Sequence, residues 1–120
     1  MAPDGLVAFA PSYDHGNSLG FNLLDEKRRA ILDAHPPLSS LAAKACADRF
    51  ADGKQVTLVD YAKLAISIAN VETGRYWLNR IAEVSSSAVA ATVEETPQMS
   101  VLARRFSIRL LETNRERLLS

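Results

Sequence analysis

Hydrophobic and polar positions alternate with helical spacing over most of this chain. The strongest stripe is Leu58, Tyr61, Leu64, Ala65, Ile68 and Ala69, recurring at threes and fours, which predicts a core-facing helix over 58–69. Thr57 with Asp60 three residues on resembles a capping box and would open it. Thr73 is expected to cap a further helix carrying Tyr76, Trp77, Ile81 and Val84. Ser85-Ser86-Ser87 caps a short helix to about Glu95, and Ser100 caps a final one with Val101, Leu102, Phe106, Leu110 and Leu111 apolar. These spacings predict a core made by helices at 58–69, 73–84 and 101–118, with Leu64, Ile68, Trp77, Ile81, Phe106 and Leu110 largely buried.

The first half is less regular. Asn22 is expected to cap a helix from Leu23 to Asp33, with Leu24, Arg28, Ile31 and Leu32 on a narrow inner face and His35-Pro36-Pro37 ending it. Ser39 or Ser40 then restarts a helix from Leu41 to Phe50, which Ala51-Asp52-Gly53-Lys54 closes. Before them, residues 5–10 (Gly5-Leu6-Val7-Ala8-Phe9-Ala10) read as the one convincing strand. A lone strand cannot satisfy its own backbone groups, so its mate is expected from another chain or from sequence outside this one. The fold class is therefore mainly α, one domain over 1–120: a strand and loop in 1–22, helices in 23–120.

Composition narrows the function classes. Lys plus Arg and Asp plus Glu both number 14, so no net field draws the chain to nucleic acid or an anionic membrane. Arg104, Arg105, Arg109, Arg115 and Arg117 crowd the last twenty residues but scatter around the helix with Glu112 and Glu116 between them. They read as a solvated face or a contact with a missing domain, rather than a phosphate stripe. Cys46 stands alone between alanines, which excludes an internal disulfide and reads as a small buried thiol. No apolar run approaches membrane-spanning length, and no basic-then-apolar leader opens the chain.

The best candidate for chemistry is Asp14, which comes after the strand in Ala10-Pro11-Ser12-Tyr13-Asp14-His15-Gly16-Asn17-Ser18-Leu19-Gly20. A carboxylate at a strand end, on a loop of small polar residues, suits an oxygen ligand for a hard cation such as Mg²⁺. The same residues also suit a plain turn that caps the next element. His15 points away from its neighbour in an extended segment and reads as a loop residue, and His35 as a surface one. Phosphate-cradling glycine patterns, a nucleophile elbow and a zinc helix are all missing from the sequence.

The wording of Ala10–Gly20 resembles a signature of HipA-like serine/threonine kinases. Met99-Ser100-Val101-Leu102-Ala103-Arg104-Arg105-Phe106 and Leu110-Leu111-Glu112-Thr113-Asn114-Arg115-Glu116-Arg117-Leu118-Leu119 resemble the closing helix of the same family. The resemblance implies the helical C-terminal lobe of a toxin–antitoxin kinase, with a cytoplasmic address. It makes Asp14 the magnesium ligand, equivalent to the Asp of Asp-Phe-Gly. Tyr13 departs from the family's usual Phe and Asn17 from its usual Ser, neither of them a metal ligand. On the same resemblance the catalytic Asp, the second metal-binding Asn and the nucleotide-holding lobe would precede Met1. Mg²⁺ and ATP are then implied only together with that N-terminal part. The expected partners are the missing kinase half or an antitoxin protein, and the chain alone is expected to be inactive. The rival reading is an all-α interaction module that regulates a kinase or antitoxin.

Overall fold

The computed structural model describes residues 18–46 and 56–120. The expected strand at 5–10, the Asp14 loop and the second half of the helix expected to end at Phe50 lie outside the described residues. Among the described residues six helices occur in order: α1 Asp25–Leu32, α2 Leu38–Ala42, α3 Leu58–Ile68, α4 Val71–Glu83, α5 Ser86–Glu94 and α6 Val101–Leu119. Among the described residues the only extended pairing is one antiparallel bridge between Cys46 and Thr57, next to a bond from Leu58 N–H to Ala45 O at 2.9 Å. The mainly α reading holds.

α6 is the element on which the others are laid. At 19 residues it is about 28 Å long, and each of the other five helices packs against it, while α3 also packs against α4. Its sequence explains this: Ala103, Phe106 and Ser107 are buried on one side, and Leu102, Leu110 and Leu111 are half-buried around it. Phe106 is 0% exposed, and it shares the core with Ile31 of α1, Ala42 of α2, Val59 of α3 and Val93 of α5.

The helix starts obey side-chain capping where the sequence provides it. Thr57 Oγ1 accepts from Asp60 N–H at 3.1 Å and donates to Asp60 Oδ2 at 2.6 Å. Ser85 and Ser100 accept from Ala88 and Ala103 N–H, at 3.1 and 3.0 Å. Other starts need correction. Asn22 caps nothing: α1 begins at Asp25 after Leu24, which makes no side-chain cap bond. Thr73 lies inside α4, whose cap is Asn70, its Oδ1 accepting from Glu72 N–H at 2.8 Å. α3 ends with Ala69 as its C-terminal cap, and Asn70, the next residue, already opens α4. The helix expected from Leu41 to Phe50 is also corrected: α2 starts directly after Pro37, with Ser39 and Ser40 inside it, and ends at Ala42, and Cys46 is already in the bridge to Thr57. His35–Pro36 is a cis peptide bond, and α1 does end before it. That end is a left-handed turn: Ala34 at φ +69° donates to Ile31 O at 3.1 Å and His35 to Ala30 O at 2.8 Å.

The C-terminal ends are met by arginines. Arg117 Nη1 donates to Ala42 O at 2.9 Å at the end of α2, and Arg115 Nη1 donates to Val84 O just after α4. Arg104 Nη2 donates to Thr96 O at 3.2 Å past α5, while its Nη1 pairs with Glu94 at 3.0 Å. Carbonyls at a helix end have no intrahelical donor and carry the negative end of the dipole, so cations there satisfy both. The solvated-face reading is therefore wrong for Arg104, Arg115 and Arg117, which tie other elements to α6; Arg105 and Arg109 stay exposed.

The expected core is corrected on α3 and α4. Phe106 is buried, and Ile81 and Leu110 are half-buried, but Leu64 is 50%, Ile68 76% and Trp77 49% exposed. α3 is apolar nearly all round, so it offers two stripes at helical spacing. The one turned inward runs Val59, Ala62, Lys63, Ile66, about 100° from the one expected. Gly74 of α4 decides the rotation: a Cβ there would lie 3.2 Å from both Ile66 Cγ2 and Ile66 O, so the bare glycine admits the close approach. Cys46 is also half-buried rather than buried.

Two substitutions separate the real core from the expected one. Phe106→Ala should cost about 3–5 kcal/mol, the range for truncating a buried Phe, while Leu64→Ala should cost under about 1 kcal/mol. Urea-unfolding midpoints of both variants measure this, and equal losses would return Leu64 to the core. Ala34→Gly, at a left-handed position, should stabilise by about 0.5–1 kcal/mol in the same assay.

Candidate functional site

Residues 18–20, the described end of the Asp14 stretch, turn back onto the start of α6. Phe21 N–H donates to Ser18 O at 3.2 Å and Leu23 N–H to Gly20 O at 3.0 Å. Leu19 and Gly20 have φ of +55° and +67°. Gly20 is required here twice over: its backbone is left-handed, and a Cβ would meet Phe106 Cε1 at 2.8 Å. So the loop closes directly over the most buried ring of the molecule.

Between this turn and the N-terminus of α6 lies a cleft of about 590 Å³, lined by Ser18, Leu19, Asp25, Arg28, Gln98 and Ser100 among others. Gln98, with φ +60°, is a further non-glycine residue in left-handed backbone on its wall. Its polar side is one connected network. Arg28 Nη1 donates to Asp25 Oδ1 at 2.7 Å, and its Nη2 donates to Gly20 O at 3.2 Å and Phe21 O at 3.3 Å. Ser100 Oγ donates to the same Asp25 oxygen at 3.0 Å while accepting from Ala103 N–H. Arg28 is only 13% exposed, and its buried Nε has no partner among the described residues. Ser100's hydrogen bond, then Arg28's hydrogen bond and charge, hold the Asp25 carboxyl below its ordinary value of 3.8; partial desolvation opposes them.

The chemistry this allows is positioning. An ionised carboxylate below its ordinary value is a weak base at neutral pH, and Ser100 spends its proton on it, so neither is a nucleophile–base pair. Among the described residues no group of three or more His, Cys, Asp or Glu could hold a metal ion, and Asp25 is engaged by Arg28 and Ser100. The described residues therefore do not build the Mg²⁺ site that the kinase resemblance implies. Asp14 and His15 lie outside the described residues, and His35 is exposed, away from this cleft. Arg28, placed on an apolar face from its spacing, proves to be the hub. The signal for it was the Asp25–Arg28 pair three residues apart in the first turn of α1.

No helix among the described residues is long and apolar enough to cross a membrane. Comparison of the chain with protein-family models, curated proteins and solved structures finds no match.

The Asp25 network predicts acid sensitivity of known sign. A carboxylate held low in the folded state contributes stability that is full above its unfolded value. That contribution fades as pH falls through the lower folded value. Asp25→Asn should therefore be less stable than wild type at pH 7, with the gap closing below about pH 4. Urea midpoints across that range check it, and a gap independent of pH would remove the charge from the account.

Proposed function

We propose that this chain is the helical C-terminal part of a HipA-like serine/threonine kinase, a protein that transfers phosphate from ATP to a protein hydroxyl. In this reading Asp14 is the magnesium ligand, and the nucleotide lobe, catalytic Asp and second metal-binding Asn come from sequence outside this chain, as a kinase front half. The observation that supports it is that residues 18–20, the described end of the first resembling stretch, lie against the closing helix. Gly20, from the Asp14 stretch, sits on the ring of Phe106 from the closing helix, and the loop is held by the Arg28–Asp25–Ser100 network. A metal-binding loop has to be set against a rigid element if its carboxylate is to stay in register with a nucleotide. What this chain supplies is that rigid seat.

A second reading, an all-α module that binds a kinase or antitoxin, draws on a different observation. Leu58, Leu64, Ile68, Val71, Tyr76 and Trp77, on α3 and α4, and Val84, just after α4, are exposed. Apolar surface concentrated in one supersecondary unit is characteristic of an interaction face.

A reconstituted kinase assay decides between them. Mixed with a matching front half, the wild-type chain should restore transfer from ATP to protein. Asp14→Ala should abolish it, by about a thousandfold or more for loss of a metal ligand. The chain alone should show no transfer. Full activity of the variant would reduce Asp14 to a turn residue and favour the binding module.

A further inference from the structure

The outward side of α4 carries a feature that the kinase reading does not use. Glu72, Tyr76 and Arg80, spaced four apart, form one ridge along the helix, and all three are exposed. The ridge thus reads acid, aromatic, base. Tyr76 is 57% exposed and is braced by Trp77, their rings edge-to-face with centroids 5.4 Å apart and planes at 80°. Trp77 flanks the ridge at 49% exposed, and Val71 and Val84 lie at its two ends, at 74% and 42%.

We propose that this ridge is a self-association face, on which α4 of a second copy packs antiparallel about a two-fold axis at Tyr76. Charge complementarity and an aromatic centre together select this arrangement. Glu72 and Arg80 lie about 6 Å on either side of Tyr76 along the helix. The two-fold therefore brings each Glu72 level with Arg80 of the other copy, and the two Tyr76 rings together at the centre.

Neighbouring registers fit worse. An axis between Trp77 and Leu78 sets Glu72 against Glu83 and Arg75 against Arg80, like charges facing. An axis at Asn79 also sets Arg75 against Glu83, but it centres the face on a ridge of Arg75, Asn79 and Glu83, with no aromatic at its middle. Arg80 does pair with Glu83 within its own helix, at 3.1 Å, but both side chains are more than half exposed and such a pair is weak. Its remaining donors can take Glu72 of the second copy. The charges of α3 and α4 balance in sign, three acidic (Asp60, Glu72, Glu83) against three basic (Lys63, Arg75, Arg80), which removes net repulsion between copies.

Sedimentation equilibrium of the full chain over a concentration series tests this, with circular dichroism confirming that each variant is folded. The wild type should show a monomer–dimer equilibrium. Glu72→Arg and Arg80→Glu should each weaken it by about tenfold or more, because like charges then face each other. The double variant Glu72→Arg/Arg80→Glu, with the signs exchanged, should recover at least most of the loss. A wild type that stays monomeric throughout overturns the proposal and leaves the face to a different protein. So does a dimer that ignores both single reversals, or a double variant no better than the singles. None of these readouts depends on kinase activity, so either proposal can fail without the other.

Discussion

The burial of Phe106 is the constraint on which the rest of this structure depends. Its ring is wholly enclosed, and helices from both ends of the described chain converge on the face of α6 that carries it. Short helices such as the five residues of α2 and the eight of α1 are not stable alone, so they persist only by burying Ala42 and Ile31 against this one surface. The same ring fixes the loop above it, because only a residue without Cβ can cross it at the distance Gly20 does. The core and the candidate site thus share a single side chain.

Around that apolar centre the arginines of α6 supply direction. Apolar contact tolerates sliding, whereas a guanidinium reaching one terminal carbonyl does not. Arg117 at Ala42 and Arg115 at Val84 each define where another helix stops along α6. Arg28 does the equivalent for the turn at Gly20 and Phe21. The abundance of arginine near the C-terminus, which suggests a charged surface, is largely an internal scaffold of charge-assisted hydrogen bonds. This also explains how a chain without net charge can place so many cations on one helix: their partners are helix dipoles as well as carboxylates.

The two proposals assign different surfaces to different tasks. The cleft beside Gly20 and Ser100 combines an apolar lining with the Arg28–Asp25–Ser100 network, suited to holding a loop in place. The outer ridge of α4 is aromatic, with opposite charges at its ends, suited to meeting another helix. They use no residue in common, so association through α4 leaves the cleft open to whatever the Asp14 loop serves.

Much of the helical order was legible in the residues themselves. Thr57, Ser85 and Ser100 announce helix starts because a hydroxyl that accepts from the third N–H onward acts within one turn, and His35-Pro36-Pro37 ends α1 for equally local reasons. Phe106 was legible too, as the large ring in the middle of the longest periodic stretch. What the tertiary structure alone decided is the rotation of each helix about its axis. α3 is apolar on too many sides for spacing to choose an inner stripe, and the choice of Val59 and Ile66 over Leu64 and Ile68 was made by a glycine eight residues beyond Ile66 on another helix. The long-range polar contacts were hidden for the same reason. Ser100 reaches Asp25, and Arg117 reaches Ala42, across 75 residues each. No periodicity records a bond between groups that only folding makes neighbours.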